Sequence, residues 1–330
     1  LNRWTLGTGL TVVLAAAILA GIRFGSVPIS NADFFAVLMG EGDLVDRNIV
    51  MELRLPRVLL GILVGGGLAV AGATFQALLR NPLAEPYILG ISGGASVGAV
   101  LVLALGWTIA GSWILPIAAF AGALVAITLV FRIATTTGRA MDVRVLLLAG
   151  VVVAAFFSAC IALIFSISSA QTVQSTVLWI MGSLAAANWQ SVALTATYTL
   201  PATLLLMRLA RPLNLMAIGE ETAHYLGADV EGVKRASLGI AALITASGVA
   251  VAGVIGFVGL VVPHTIRLLV GSDHRALLPL SFVAGATLLT LADIAARLVL
   301  SPTEIPIGVI TAFVGVPLFL TLLRRNLSTP

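Results

Sequence analysis

Few residues in this chain are equipped for chemistry. The only lysine, Lys234, stands in Val-Glu-Gly-Val-Lys-Arg. A phosphate-gripping loop needs a run of glycines with its lysine directly after them. This context does not fit, so ATP is not expected to bind here. His224, His264 and His274 share no ligand spacing with the lone cysteine, Cys160, or with carboxylates. No metal site and no internal disulfide are therefore expected. Asp293 and Arg297 lie one helical turn apart and can pair. No other apolar run carries a mid-depth carboxylate or histidine, which a proton relay would require. Nothing here makes a catalytic site, and an enzyme is not expected.

The remaining charges suit recognition. Arg54 and Arg57 flank a proline in Leu53-Arg54-Leu55-Pro56-Arg57, and Arg297 joins them on the same side of the chain. Guanidinium forks grip carboxylates bidentately. Docking of an acidic partner is one reading; headgroup anchoring, or local pairing with Glu52 and Asp293, is the other. Residues 80–95, Arg-Asn-Pro-Leu-Ala-Glu-Pro-Tyr-Ile-Leu-Gly-Ile-Ser-Gly-Gly-Ala, combine two prolines with three glycines. Such irregular backbone at membrane depth belongs beside protein or a water-filled cavity, as a gate or as a tight connection. Residues 213–234 form the longest polar stretch on the other side, with Glu220, Glu221, His224, Asp229 and Glu231. Gly219 and Gly227 break it, while Leu215, Ile218, Ala223 and Leu226 give it an apolar face. Two short helices facing a partner, or a solvated loop, are both consistent with this pattern.

The elements that must position these residues follow from composition. Of 330 residues, 59% are hydrophobic and 10% charged, against roughly 25% charged in soluble domains. The apolar runs, such as 145–167, do not alternate as barrel strands would. An all-α polytopic membrane protein is expected. Spans are expected near 5–22, 58–79, 88–108, 112–133, 145–168, 190–207, 237–257, 258–270, 276–299 and 305–323. The stretch 236–270 would be about 52 Å long as one helix. It is split at its glycines and Pro263, giving about ten spans in one domain, 1–330.

Charge supports the split. With the N-terminus inside, 13 of the 18 Lys and Arg, Arg139 among them, fall on the inner side; Arg23, Arg47, Arg54, Arg57 and Arg297 lie outside. Without the split the two sides would hold nine each, so the positive-inside rule favours it and places both termini in the cytoplasm. A net charge of +4 with arginines set between apolar runs argues for topology, not nucleic acid. The first run is followed by further spans and reads as an anchor, not a removable signal. Gly67-Leu-Ala-Val-Ala-Gly72 recurs as Gly248-Val-Ala-Val-Ala-Gly253, with Pro82 matching Pro263 at the same offset. That suggests an inverted internal repeat of spans two to five against seven to ten. Gly61, Gly65 and Gly72, then Gly90, Gly94 and Gly98, read as small-residue packing faces.

RLPR (54–57), NPLAEPYILGISGGA (81–95), LLLAG (146–150), WIMGSL (179–184), GFVGLVVPH (256–264), SDHRALLP (272–279), LADIAAR (291–297) and EIPIG (304–308) occur in this order along nearly the whole chain. They resemble the FecCD-type permeases, membrane subunits of type II ATP-binding-cassette importers for iron–siderophores, haem and vitamin B12. The resemblance implies a ten-span subunit of a bacterial cytoplasmic membrane, paired with a second copy or a paralogue. It implies two ATPase subunits inside, which hold the ATP and magnesium, and a substrate-binding protein outside. By resemblance, Arg54, Arg57 and Arg297 meet glutamates of the binding protein, and Asn81 and Leu83 form a cytoplasmic gate. Asp142, Val143 and Arg144 fall near a second gate, where the family often carries small hydroxylated residues. Gly219, Glu220, Glu221, His224, Leu226, Gly227 and Asp229 match the coupling helices that seat on the ATPase. Span five and Gln171–Leu184 would line the pathway. Iron-chelate import is the leading expectation, cobalamin import uses the same scaffold, and a lone ion-coupled carrier is the competing class.

Overall fold

A computed structural model describes residues 2–107, 113–135 and 141–327 of the chain. The expected span ends at 108 and 112, and Arg139, lie outside the described residues. Among those described there are fifteen α-helices and no strand. They are α1 (Arg3–Arg23), α2 (Asn31–Met39), α3 (Leu44–Asn48), α4 (Leu55–Leu78), α5 (Ile91–Ala104), α6 (Ile114–Thr135), α7 (Val143–Ile167) and α8 (Ala170–Ile180). There follow α9 (Trp189–Arg208), α10 (Ala210–Ile218), α11 (Glu220–Tyr225), α12 (Val230–Ala252), α13 (Val258–Val270), α14 (His274–Leu298) and α15 (Ile307–Leu327). Among the described residues six helical segments are long and apolar enough to cross a membrane, α3 and α4 counting as one; the α9–α10 pair, bent by 54°, makes a seventh. α5, α13 and Ile307–Thr321 of α15 are shorter apolar helices.

α4 is the hub, buried along almost its whole length and packed against α14, α12, α13 and α9. Between apolar helices in lipid, close van der Waals contact replaces the hydrophobic drive, so small residues decide how near two backbones come. A Cβ at Gly65 would lie 2.4 Å from the Gly285 carbonyl oxygen, and one at Gly285 would lie 2.3 Å from that of Gly65. Gly94 and Gly98 of α5 meet α6 in the same way, at Gly122 and Ala118. Gly90 is different: it lies off the helical face, in the left-handed conformation that opens α5.

A π-helical turn, Ile49–Arg54, joins α3 to α4. Pro56 has no N–H to give to the carbonyl four residues back. The preceding turn widens, and Leu55 N–H donates to the Val50 carbonyl. α12 and α13 are separate helices. α12 ends at Gly253, φ +69, and α13 starts after Phe257, φ +68. Pro263 lies inside α13 and does not make the break. The loop after α4 staples this break: Glu85 Oε1 accepts the Phe257 N–H at 2.7 Å, and the Tyr87 hydroxyl both donates to the Ile255 carbonyl and accepts its N–H, each at 3.2 Å.

α2, α3 and α8 lie outside the expected spans. Ser30 and Ser169 cap α2 and α8 by accepting the Asp33 and Thr172 N–H groups. The matching segments differ in backbone at their last glycine and at the matched proline. Gly72 lies within α4 against Gly259, whereas Gly253 terminates its helix in a left-handed turn. Pro82 is in a loop and Pro263 in a helix. Shared small residues at the two places serve different contacts.

Candidate functional site

The bundle carries two polar ends. One holds Arg57 and Arg297, at the start of α4 and the end of α14; the other holds Lys234, near the start of α12.

At the Arg57 end the three arginines are buried, Arg57 being 9% exposed. Arg57 Nε donates to Asp293 Oδ1 at 2.9 Å, and its two terminal nitrogens donate to the two Glu304 oxygens, each at 2.9 Å. Arg297 Nη2 lies 3.0 Å from Asp293 Oδ2, and its Nη1 donates to the carbonyls of Gly21 and Phe24 at the end of α1. Arg54 donates to the carbonyls of Ile22, Arg23 and Val27. These guanidiniums therefore close the end of α1, where the last helical carbonyls lack partners of their own. Local pairing with Asp293 is what the structure forms; Glu304 was not among the expected partners. Its signal, a carboxylate in EIPIG directly after the Asp293–Arg297 helix, was present in the sequence. The arginines also line a crevice of about 240 Å³, with Gly25, Val27, Leu53, Ala185 and Glu304 on its walls. Three guanidiniums against two carboxylates leave one positive charge in excess there.

At the Lys234 end, residues 210–225 fold as α10 and α11, joined at Gly219. Asn214 of α10 ties this segment to α14. Its Nδ2 donates to Asp273 Oδ1 at 2.8 Å, and its Oδ1 accepts the His274 N–H at 2.8 Å. Arg3 donates to the other Asp273 oxygen at 2.9 Å. The Asn214 hydrogen bond, with help from the Arg275 N–H and Arg3, holds the Asp273 carboxyl below its ordinary range.

The expected coupling residues divide by role. Gly227, φ +83, supplies the left-handed turn after α11, and Asp229 caps α12 by accepting the Gly232 N–H at 2.9 Å. Glu220 forms ion pairs with Lys234 and Arg80. Glu221, His224 and Leu226 face outward. Ala223 is buried, so the apolar face splits: Ile218, Leu226 at 62% exposure and Tyr225 at 88% face outward. Tyr225 lies within the expected coupling stretch but was not part of its expected apolar face.

The expected gate residues follow two residues that contact this end: Asn81 follows Arg80, which pairs with Glu220, and Asp142 follows Met141, whose carbonyl accepts from Lys234 Nζ. Asn81 Oδ1 accepts the Leu83 N–H at 2.9 Å, which shapes a tight turn with Leu83 outward. Asp142 caps α7 by accepting the Arg144 N–H at 2.7 Å. An aspartate there is thus explained by helix capping. Val143 is half-buried and Arg144 exposed.

Between the ends the surfaces are apolar. α7 buries Leu146, Ala149, Gly150, Val153 and Phe157 and turns Leu148, Val151, Val152, Phe156 and Leu163 outward. A cavity of about 620 Å³, almost wholly apolar, lies between the α12–α13 break and α15, bounded by Met181, Val254, Phe257, Gly308, Ala312 and Phe313. Among the described residues no group of three or more His, Cys, Asp or Glu is placed to hold a metal ion.

A family model described as the FecCD transport family matches residues 13–325. The cobalamin import system permease protein BtuC of Halobacterium salinarum is 44% identical over 276 residues, covering 84% of this chain and 73% of that protein. The hemin transport system permease protein HmuU of Yersinia pestis is 42% identical over 282 residues, 84% of each chain. A solved structure described as an inward-facing conformation of a candidate metal-chelate type ABC transporter superposes with a TM-score of 0.86 at 32% identity, covering 97% of this chain and 99% of the other.

Proposed function

The chain belongs to the FecCD transport family, and from that premise we propose that it is the permease subunit of an ATP-binding-cassette importer that carries an iron chelate, a ferric siderophore or haem, into the cytoplasm. The observation that carries the coupling part of this reading is the set of exposed apolar side chains at the ends of α10 and α11. Ile218, Tyr225 and Leu226 are exposed beside Glu220 and Glu221, on short helices that extend the bent α9–α10 segment. An apolar patch rimmed by charge is the mark of a protein contact. A chain without a phosphate-binding loop needs a partner to hydrolyse ATP.

In this proposal the Lys234 end is cytoplasmic, with both termini, which the arginine asymmetry supports. The six long segments, the bent pair and the three shorter apolar helices make ten spans. The outward face of α7, with α8 and the apolar cavity beside α15, meets a second copy or a paralogue and lines the pathway between them. The crevice at the Arg57 end receives an acidic side chain of the binding protein. Its excess positive charge attracts a carboxylate, and Glu304 marks where one binds. ATP turnover displaces α11, and the loops at Asn81–Leu83 and Asp142–Arg144 open and close the path. An inverted repeat relating spans two to five to spans seven to ten belongs to the same proposal. Superposing α4–α7 on α12–α15 after inversion tests it.

Uptake into proteoliposomes holding the permease, its ATPase subunits and its binding protein tests the function. ATP-dependent accumulation of iron-55 presented as a ferric siderophore or haem is expected. Uptake driven by an ion gradient without ATP would sink the proposal. A second reading, cobalamin import, is favoured by the 44% identity to the Halobacterium cobalamin permease. Cobalt-57 cobalamin in the same vesicles separates the two.

A further inference from the structure

Lys234, the only lysine of the chain, has no part in the mechanism above. It stands in the second turn of α12, 3% exposed, where three separate segments converge. Its Nζ donates to Glu220 Oε2 on α11 and to the Met141 carbonyl at 3.1 Å, directly before the α7 cap. Glu231 Oε1 lies 3.5 Å away. Glu231 in turn accepts the Met141 N–H on both oxygens, at 3.1 and 3.2 Å. The backbone at Met141 is thus held on both sides, its N–H by Glu231 and its carbonyl by Lys234. The other Glu220 oxygen lies 3.7 Å from Arg80 Nη2, at the start of the 80–90 loop.

An ammonium has three donors radiating from one point, and here each has an acceptor. A planar guanidinium fork could not serve three directions in the same way. An apolar residue would fill this position without the cost of burying a charge, and a buried ion whose partner departs is left strongly unfavourable. If Glu220 moves, either its partners move with it or the ammonium is stranded.

We propose that Lys234 is the positioning residue through which a displacement of α11 reaches both neighbouring loops, the 80–90 loop by way of the Glu220–Arg80 contact and the start of α7 by way of Met141. This rests on the reading of α11 as the segment that follows the ATPase. Lys234 makes the two loops respond as one unit, because a single carboxylate and a single ammonium join them.

The test uses the complete complex with its ATPase subunits in lipid nanodiscs, on a Cys160→Ala background. Spin labels are placed at exposed Arg47 of the opposite end as reference, and in turn at Thr222, Leu83 and Arg144. Trapping with ATP and vanadate is expected to shift all three distances when Lys234 is present. In Lys234→Met the Thr222 distance still shifts, while those to Leu83 and Arg144 stay at their nucleotide-free values. Shifts at Leu83 and Arg144 that match the parent would overturn the proposal. An unmoved Thr222 in the parent would instead overturn the coupling reading on which it rests. Lys234→Arg keeps the charge and guards against misfolding; a reduced shift at both loops is expected, and a full one counts against the proposal. Failure of both variants to assemble with the ATPase also overturns it, since Lys234 would then be serving assembly.

Discussion

The two ends of the bundle bury charge to different purposes. At the Arg57 end, guanidiniums pair with Asp293 and Glu304 and cap the carbonyls at the end of α1. The start of α4, the end of α14 and the end of α1 become one block. At the Lys234 end a single ammonium joins α11, α12 and Met141, directly before the α7 cap, while Tyr225 and Leu226 face outward. The first arrangement locks transmembrane helices to one another; the second links a short peripheral helix to loops. Buried ion pairs gain little over a well-packed apolar core, yet breaking one by removing a partner is costly. Such groups therefore enforce a particular geometry, and the geometry differs: a fixed clamp at one end, a linkage at the other.

The largest expected effect is at the clamp. Asp293→Ala strands Arg57 Nε and Arg297 together and should destabilise the chain by about 3–5 kcal/mol. A fall in melting temperature in detergent checks it; an unchanged value would mean that the clamp carries no stability. At the opposite end, Tyr225→Ala with Leu226→Ala should leave the melting temperature almost unmoved, since both side chains are largely exposed. It should weaken binding of the ATPase subunit by about 2 kcal/mol or more, as buried interface anchors do, roughly thirtyfold in Kd. Calorimetry or co-purification reads this, and undiminished affinity would remove α11 from the contact.

A smaller effect sharpens the role of the crevice. Glu304→Gln removes the carboxylate that faces the Arg57 fork and raises the excess positive charge there. Capture of the binding protein should tighten by about 1 kcal/mol, roughly fivefold, at low ionic strength, and the gain should shrink with salt. A weaker complex would show that Glu304 helps to build the dock instead of occupying it. The smallest effect concerns Asp273. Its carboxyl is held below its ordinary range by the Asn214 hydrogen bond. A depressed folded value contributes stability that is fully present above the ordinary carboxylate range and is lost as pH falls through the depressed value. Asn214→Ala should flatten that acid-side slope in a melting-temperature profile while leaving the Arg57 end as it was.

Much of the fold was legible because lipid imposes a simple rule on composition. Long unalternating apolar runs had to be helices, and length, glycines and the placement of arginines together divide 236–270. The break itself occurs at Gly253 to Phe257, and Pro263 is accommodated inside α13. Pro263 cannot donate to the Gly259 carbonyl four residues back, and Gln76 Nε2 of α4 donates to that oxygen instead, at 3.4 Å. The motif NPLAEPYILG marked an irregular loop; that Glu85 and Tyr87 staple a break 168 to 172 residues later was not readable from spacing. The π-helical turn before α4 was equally hidden, because it depends on how one proline is absorbed.

By itself, the sequence determined the class of molecule and where its rare charges fall. Hydropathy and the sidedness of arginine depend only on residue type and order, and they act on the chain span by span. The partners of those charges were decided by tertiary structure alone. Arg57 finds Glu304 and Asp293 more than 230 residues away, Lys234 reaches back to Met141, and Gly65 meets Gly285. Each of these meetings depends on which helices pack side by side. That choice is set by the close approach of small residues such as Gly65 to Gly285 and Gly72 to Gly259; a single span shows which face is small, but not which helix it meets.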